Sequence, residues 1–234
     1  MLDSSFWKKY FLVYDSLNEL IPYQRLIQMI IKQLDIKPGQ RILDVGSGTG
    51  NIATQVKQHG GQVFGIDISA EGVALHSRKD PTAILKVADI SNPLPYPDAY
   101  FDRVYSNNTL YTIPRDTRST VFAEMYRVLK PGGRIVISNL RDGFRPLSIY
   151  KDHIRISIKE MGMFHTCLSL CKFMYPTINI FYYNYLIKKE NDGGSYDFFH
   201  NEEQAKEMNV AGFSTVTKDV EVYSGQAILN TGKK

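Results

Sequence analysis

The chain has 234 residues, 43% of them hydrophobic and 22% charged, with a formal net charge of +4. This size and balance suit one large domain or two small ones with a full core, and they exclude a disordered, collagen-like, disulfide-stapled or many-span membrane chain. The mild positive charge comes without any Lys/Arg run, so nucleic acid is not an expected partner.

Met1–Ser5 carries no basic residue, and Lys8, Lys9 and Asp15 interrupt the apolar positions that follow. No export signal is therefore expected, and a cytoplasmic location is. Phe6, Tyr10, Val13, Leu17 and Leu20 recur at helical spacing, and so do Tyr23, Ile27, Ile30, Ile31 and Leu34 behind Pro22. Two opening helices are predicted, the second with its proline in the first turn and Lys37-Pro38-Gly39 beyond its end. Short β-rich runs follow at Arg41–Val45, Gln62–Asp67, Ala83–Val87, Arg103–Ser106 and Arg134–Ser138. Between them Ile52–His59, Ala70–Ser77 and Asp116–Leu129 read as helices, and Pro93–Pro97, with three prolines, reads as a loop. Strands alternating with helices predict βαβ units, and strands that are nearly all apolar predict a parallel sheet covered on both faces. Asn201–Val210 reads as a short helix ended by Gly212, and Phe213–Val216 and Val220–Leu229 read as the last two strands. The expected fold is α/β. It is a Rossmann-like, doubly wound, mostly parallel seven-stranded sheet with N-terminal helices and a helical cap inserted after strand five. As one domain it divides into helices at 1–36, a binding core at 37–140, a cap at 141–200, and a last helix with two strands at 201–234.

The cap is the unusual part. Met163–Ile187 holds seven aromatic side chains (Phe164, Phe173, Tyr175, Phe181, Tyr182, Tyr183 and Tyr185) and a single charge, Lys172. Its uncharged stretch, Phe173–Ile187, is too short for a membrane span and contains Pro176 and Asn179. An apolar face of this kind has to be buried on a ligand, on the sheet, on a second copy of the chain or on a membrane surface. As a roof it would cover an apolar or aromatic acceptor, and Phe181, Tyr182 and Tyr183 are its candidate contacts. Homodimerisation and peripheral membrane contact stay open beside it. Cys167 and Cys171 lie four apart, as on one helix face, and read as small core residues, with no metal site expected.

The chemistry concentrates in Ile42-Leu43-Asp44-Val45-Gly46-Ser47-Gly48-Thr49-Gly50, where a buried strand runs into a glycine-rich turn that opens a helix. Such a turn lets a ligand lie on bare main chain at the carboxyl end of the first strand. Asp67 ends the next strand 23 residues after Asp44, where a carboxylate can accept bonds from both hydroxyls of a ribose. A dinucleotide fingerprint would place its third glycine at position 51. That position is Asn51, and Gly50 comes one residue early. Asp44 would repel a pyrophosphate but attract a sulfonium or an ammonium group. Spacing and sign therefore favour a methyl donor over NAD.

Five segments, in order, resemble the class I S-adenosylmethionine-dependent methyltransferases. Leu43–Gly50 resembles their first motif, and Gly65-Ile66-Asp67-Ile68-Ser69 the acid motif of strand two. Ala88-Asp89-Ile90 resembles the third-strand motif, and Phe101–Asn108 the fourth strand. Arg127–Gly133 resembles the turn before the fifth. The resemblance implies S-adenosylmethionine as cofactor, held by Asp44, Gly46, Ser47, Gly48, Gly50, Asp67, Ile68, Asp89, Ile90 and Asn107, with Asp89 on the adenine amino group. Tyr14-Asp15-Ser16-Leu17-Asn18 resembles a segment of the quinone-biosynthesis C-methyltransferases that folds over the cofactor, which adds Tyr14. The chain departs from that subgroup. Asn139 stands where a glutamate follows strand five, and Pro22-Tyr23-Gln24-Arg25 does not match the serine, histidine and tryptophan after the N-terminal motif. A related small-molecule methyltransferase is the expectation.

Methyl transfer from an activated donor needs mainly alignment and exclusion of water, with a base only where the acceptor must lose a proton. His153, His165 and His200 are candidates by type alone, so no catalytic residue is assigned. Asp102 reads as a surface acid, Tyr111 as core or rim, and Lys130–Gly133 as a structural turn. Two other functions remain open: an NAD-linked oxidoreductase and a non-catalytic S-adenosylmethionine-binding protein.

Overall fold

The structure, a computed structural model, describes residues 4–194 and 196–234. Met1–Asp3, where the reading against an export signal begins, lie outside the described residues. So do the side chains of His165, Cys171, Lys172, Phe173, Tyr175 and Pro176.

The strands are β1 (Arg41–Val45), β2 (Gln62–Asp67), β3 (Ile84–Val87), β4 (Phe101–Asn107), β5 (Leu129–Leu140), β6 (Val220–Val222) and β7 (Ala227–Lys233). They form one seven-stranded sheet in the order β3-β2-β1-β4-β5-β7-β6, with β7 antiparallel to both neighbours and the other pairs parallel. The helices are α1 (Ser4–Tyr14), α2 (Ile21–Leu34), α3 (Asn51–Gln58), α4 (Ala70–Lys79), α5 (Arg115–Val128), α6 (Pro146–Met161), α7 (Met163–Asp192) and α8 (Glu203–Val210). The strand order reverses between β1 and β4, so the loops after these two strands diverge and open a crevice at their carboxyl ends.

Burial follows the apolar pattern. β1 and β2 are buried from their second residue onward, and α2 buries Tyr23, Leu26, Ile27, Ile30, Ile31 and Leu34 at helical spacing. β3 is the exception to the expectation of strands covered on both faces. It lies at the sheet edge and leaves Ile84 and Val87 exposed. Among the described residues no helix is long and apolar enough to cross a membrane.

Three expectations need correction. The first predicted helix, Phe6–Leu20, breaks at Tyr14 into a 3-10 turn over Asp15–Glu19. Phe213–Val216 is not a strand. It makes a single bridge through Ser214, and Thr215 has φ +51°. Val220–Leu229 is not one strand but a hairpin, because Tyr223, Ser224 and Gly225 all take positive φ and turn the chain back. The seventh strand is therefore the return arm of that hairpin and runs on to Lys233. Lys130–Gly133 lies within β5 as an irregularity, where the register to β4 jumps from Phe101–Leu129 to Arg103–Arg134.

Asn139, the residue in the glutamate position, is structural. Its Oδ1 accepts from Leu110 N at 2.9 Å, and its Nδ2 donates to Gln204 Oε1 at 2.7 Å. Gln204 Nε2 then donates to Asn230 Oδ1 at 2.7 Å. This buried chain of amides fixes the end of β5 to β7, α8 and the loop after β4. Asn139→Ala leaves Leu110 N–H and Gln204 Oε1 unsatisfied in the core, and should cost about 1–3 kcal/mol in urea unfolding. An unchanged unfolding midpoint would contradict this role.

Candidate functional site

β1 and β2 end side by side, each carrying a buried carboxylate, Asp44 and Asp67. The loop between β1 and α3 sits on these ends, with Gly46 N and Ser47 N both donating to Ile66 O. Gly46, Gly48 and Gly50 have φ of +78°, +48° and +75°, so the loop needs glycine for its path. Space is short as well. A Cβ on Gly46 would lie 2.3 Å from Thr109, and one on Gly50 would lie 2.3 Å from the ring of His76.

Asp67 ties the loop down. Its Oδ2 accepts from Gly48 N and its Oδ1 from Ser69 N, both at 2.8 Å. Burial raises its pKa, against the lowering effect of these backbone donors. Asp44 Oδ2 accepts from the Tyr105 hydroxyl at 2.7 Å. Burial pushes Asp44 up to about 8, and the charge of Asp67 pushes in the same direction while the Tyr105 bond opposes it. The pair is thus poised for a cationic partner.

Both carboxylates line one cavity together with Gly46, Ser47, Gly48, Asn51, Ile68, Ser69, Asn107 and Asn108. Its remaining walls come from α1 and the 3-10 turn (Tyr10, Phe11, Tyr14, Leu17), from Tyr23 of α2, from Ile52 of α3, from Thr109, Tyr111 and Thr112, from Leu140 and Phe144, from Asn184 and Ile187 of α7, and from Tyr223. Among the described lining residues there is no Lys, Arg or His. Ser47 Oγ, Asn107 Oδ1 and Asn108 Oδ1 are buried and find no hydrogen-bond partner among the described residues. Burial raises the pKa of Tyr10, Tyr14, Tyr111 and Tyr223, and lifts Tyr23 to about 12, so these hydroxyls stay neutral and can donate. Backbone bared at glycines, two acids and unsatisfied polar atoms fit a ligand that is polar, hydroxyl-bearing and cationic.

Of the residues singled out from sequence, Tyr14, Asp44, Gly46, Ser47, Gly48, Asp67, Ile68 and Asn107 line the cavity, whereas Gly50, Asp89 and Ile90 do not. Gly50 packs under the loop against His76. Asp89 Oδ1 accepts from Ser91 N at 2.8 Å, closing a local turn, and Ile90 is core. Asp102 binds Arg41 N and Lys130 outside the cavity. Tyr111 is both core and wall. His153 Nδ1 accepts from Ile21 N at 3.2 Å and so caps the start of α2, and His200 lies near Asp142 at the surface. Cys167 is exposed and unbridged, not a core residue. Among the described residues no group of three or more His, Cys, Asp or Glu is placed to hold a metal.

The cap differs from the expected roof. Phe181 packs on Tyr150, Tyr182 is exposed, and Tyr183 sets its edge against Phe6 and Tyr10. Tyr183 therefore braces α1 and Phe181 braces α6, and among the described α7 residues Asn184 and Ile187 line the cavity. Tyr10, Tyr23 and Tyr223 join the walls without having been expected there. The helical period marks Tyr10 and Tyr23 as inward-facing, but nothing local marks Tyr223, which lies in the unpredicted hairpin turn.

Residues 43–137 match the family model described as methyltransferase domain. Phosphoethanolamine N-methyltransferase 2 of Caenorhabditis elegans is 35% identical over 128 residues, which cover 52% of this chain and 29% of that protein. A ubiquinone/menaquinone biosynthesis C-methyltransferase of Cupriavidus metallidurans is 31% identical over 149 residues, 59% of this chain and 60% of that one. The chain thus matches less than two thirds of the length of either relative. The fold also matches an S-adenosylmethionine-dependent methyltransferase of Aquifex aeolicus, with TM-score 0.62 and 18% identity over 99% of this chain and 98% of that one.

Two alanine substitutions separate backbone strain from crowding in the loop. Gly39 has φ +80° and nothing within 4 Å of where a Cβ would stand, so Gly39→Ala should cost only the left-handed penalty of roughly 1–2 kcal/mol. Gly50→Ala adds the clash with His76 and should cost roughly 1–3 kcal/mol more in urea unfolding. Equal losses at the two positions would contradict the packing of His76 beneath the loop.

Proposed function

We propose that this chain, whose residues 43–137 match a methyltransferase domain, is a class I S-adenosylmethionine-dependent enzyme that transfers a methyl group from S-adenosylmethionine to a small, neutral acceptor with an apolar or aromatic body. The observation that carries this reading is one cavity in which two buried acids flank a glycine loop and the remaining walls are largely aromatic.

Bound S-adenosylmethionine would supply an already activated methyl group. Asp67, held by Gly48 and Ser69, keeps lone pairs with which to accept the ribose hydroxyls. Asp44, as the carboxylate that a cationic ligand favours, supplies negative charge to the cationic part of the cofactor. Gly46 and Gly48 leave main chain open to the ligand, and Ser47, Asn107 and Asn108 hold polar atoms ready for it. Tyr10, Phe11, Tyr14 and Tyr223 exclude water, so the work of the protein is alignment in a dry site. Neutral tyrosine hydroxyls can hold an oxygen or nitrogen of the acceptor. A phosphorylated acceptor, such as the name of the nematode relative implies for that protein, would find no cation among the described lining residues. In this reading residues 1–234 act as one unit, with 141–200 as the cap, in the cytoplasm.

The test is S-adenosylhomocysteine formation against a panel of neutral phenols, neutral aromatic amines and phosphoethanolamine. Turnover of neutral aromatic compounds without turnover of phosphoethanolamine is expected. Preferred turnover of phosphoethanolamine would overturn the acceptor class, and binding of S-adenosylmethionine with no turnover of any acceptor would favour a non-catalytic binder.

Asp44 also sets a pH dependence. Its carboxyl group is mostly protonated in the free protein below about pH 8, and a cationic ligand favours the carboxylate. S-adenosylmethionine affinity should therefore rise from pH 6 to about 8, at most about tenfold per unit, and level off above. Calorimetry in buffers of different ionisation enthalpy should show proton release over that range, and Asp44→Asn should abolish it. A flat wild-type profile would contradict the role of Asp44.

A further inference from the structure

The strap formed by α1 and the 3-10 turn lines the cavity from the N-terminal side and meets the loop below at Phe11 and Asp15. Phe11 lies over two glycines. A Cβ on Gly48 would meet its ring at 3.3 Å and one on Gly72 at 3.0 Å. Just beyond α1, the charged end of Lys79, the last residue of α4, enters a cluster of oxygens. Lys79 Nζ donates to Asp15 Oδ1 at 2.5 Å, to Asn51 Oδ1 at 2.8 Å and to Thr49 Oγ1 at 3.1 Å. Thr49 Oγ1 donates in turn to Asp15 Oδ1 at 2.9 Å. One ammonium thereby joins three separate pieces of chain: the strap, the glycine loop and the end of α4.

We infer that Lys79 is a positioning residue that clasps the Asp15 strap onto the glycine loop and sets how fast the cofactor leaves. This inference rests on the reading of the cavity as the cofactor seat. A ligand lying on Gly46–Gly48 is beneath Phe11 and Tyr14, so it leaves only when the strap lifts, and lifting the strap separates Asp15 from Lys79 and Thr49. The side chains differ in exposure in a way that suits a reversible contact. Lys79 is about a quarter exposed and Asp15 nearly half, while Thr49 of the loop and Asn51 at the start of α3 are buried. Water can take over the charged groups when the clasp opens, and the loop keeps its own shape through Asp67. A pair this exposed is weak and screened by salt, so it suits gating better than anchoring.

The test uses the full chain with Lys79→Met, Asp15→Asn and both together. Amide exchange over residues 10–19 is followed without ligand, and S-adenosylmethionine dissociation is followed by stopped flow. Each single variant should speed exchange in the strap, raise the dissociation rate about threefold to tenfold and raise the S-adenosylmethionine KM, with the acceptor KM unchanged. The double variant should fall well short of the sum of the singles, because both remove the Lys79–Asp15 ion pair that they share. Lys79→Arg should restore most of the slow release. High salt should speed release from the wild type and leave Lys79→Met unaffected. Should Lys79→Met fail to fold, Asp15→Asn carries the same measurements. Strap exchange and dissociation unchanged from wild type, or effects that add in the double variant, would overturn the clasp. A wild type that does not bind S-adenosylmethionine would instead overturn the reading of the cavity, while the exchange data would still judge the clasp.

Discussion

The site depends on one carboxylate at the end of a strand. Asp67 closes β2 and accepts from Gly48 N on one side and Ser69 N on the other, so it locks the loop after β1 to the start of α4. Without it the loop would keep its bonds to Ile66 O but lose the tie at Gly48, in the middle of the backbone that a ligand must touch. The glycines explain why that loop can lie so close. At Gly46 and Gly50 a side chain would collide with Thr109 and His76, and the positive φ values leave little alternative to glycine. The partner acid, Asp44, has the opposite role. It is held by Tyr105 and is costly to ionise in the free protein, so it rewards a cation in the cavity. Anchor and reward are separate residues 23 positions apart that parallel pairing brings together.

These parts were legible in the sequence because their signals are local. A buried strand, a run of glycines and an acid at a strand end each lie within ten residues, and β1 and β2 have the boundaries that their apolar runs give. Elsewhere local patterns compete with distant ones. Val220–Leu229 reads as one apolar run, yet Tyr223 and Ser224 take left-handed conformations to make a hairpin whose return arm pairs with β5. The first helix keeps its apolar period through Leu20, yet it breaks at Asp15, whose side chain reaches Lys79 and Thr49. Asp89 lies outside the cavity lining, and its Oδ1 closes a local turn with Ser91 N that the chain order alone does not reveal.

The cavity walls were the least legible part. Tyr10, Tyr23, Tyr111 and Tyr223 come from four distant stretches and share a face only once the sheet and the N-terminal helices have packed. The aromatic richness of α7 is real but works at second hand. Tyr183 stacks edge-on against Phe6 and Tyr10, so α7 stiffens the helix that lines the cavity. Composition reveals that such a surface has to be buried, and only the three-dimensional arrangement reveals against what.

The most direct measurement is isothermal titration of the wild type and of Asp67→Ala with S-adenosylmethionine, and of the wild type with NAD. One S-adenosylmethionine per chain and no detectable NAD binding are expected. A folded Asp67→Ala protein should lose at least tenfold in affinity, since charged-acceptor bonds are worth about 1.5–3 kcal/mol each. NAD binding in place of S-adenosylmethionine, or full affinity without the Asp67 carboxylate, would contradict the assignment of this cavity.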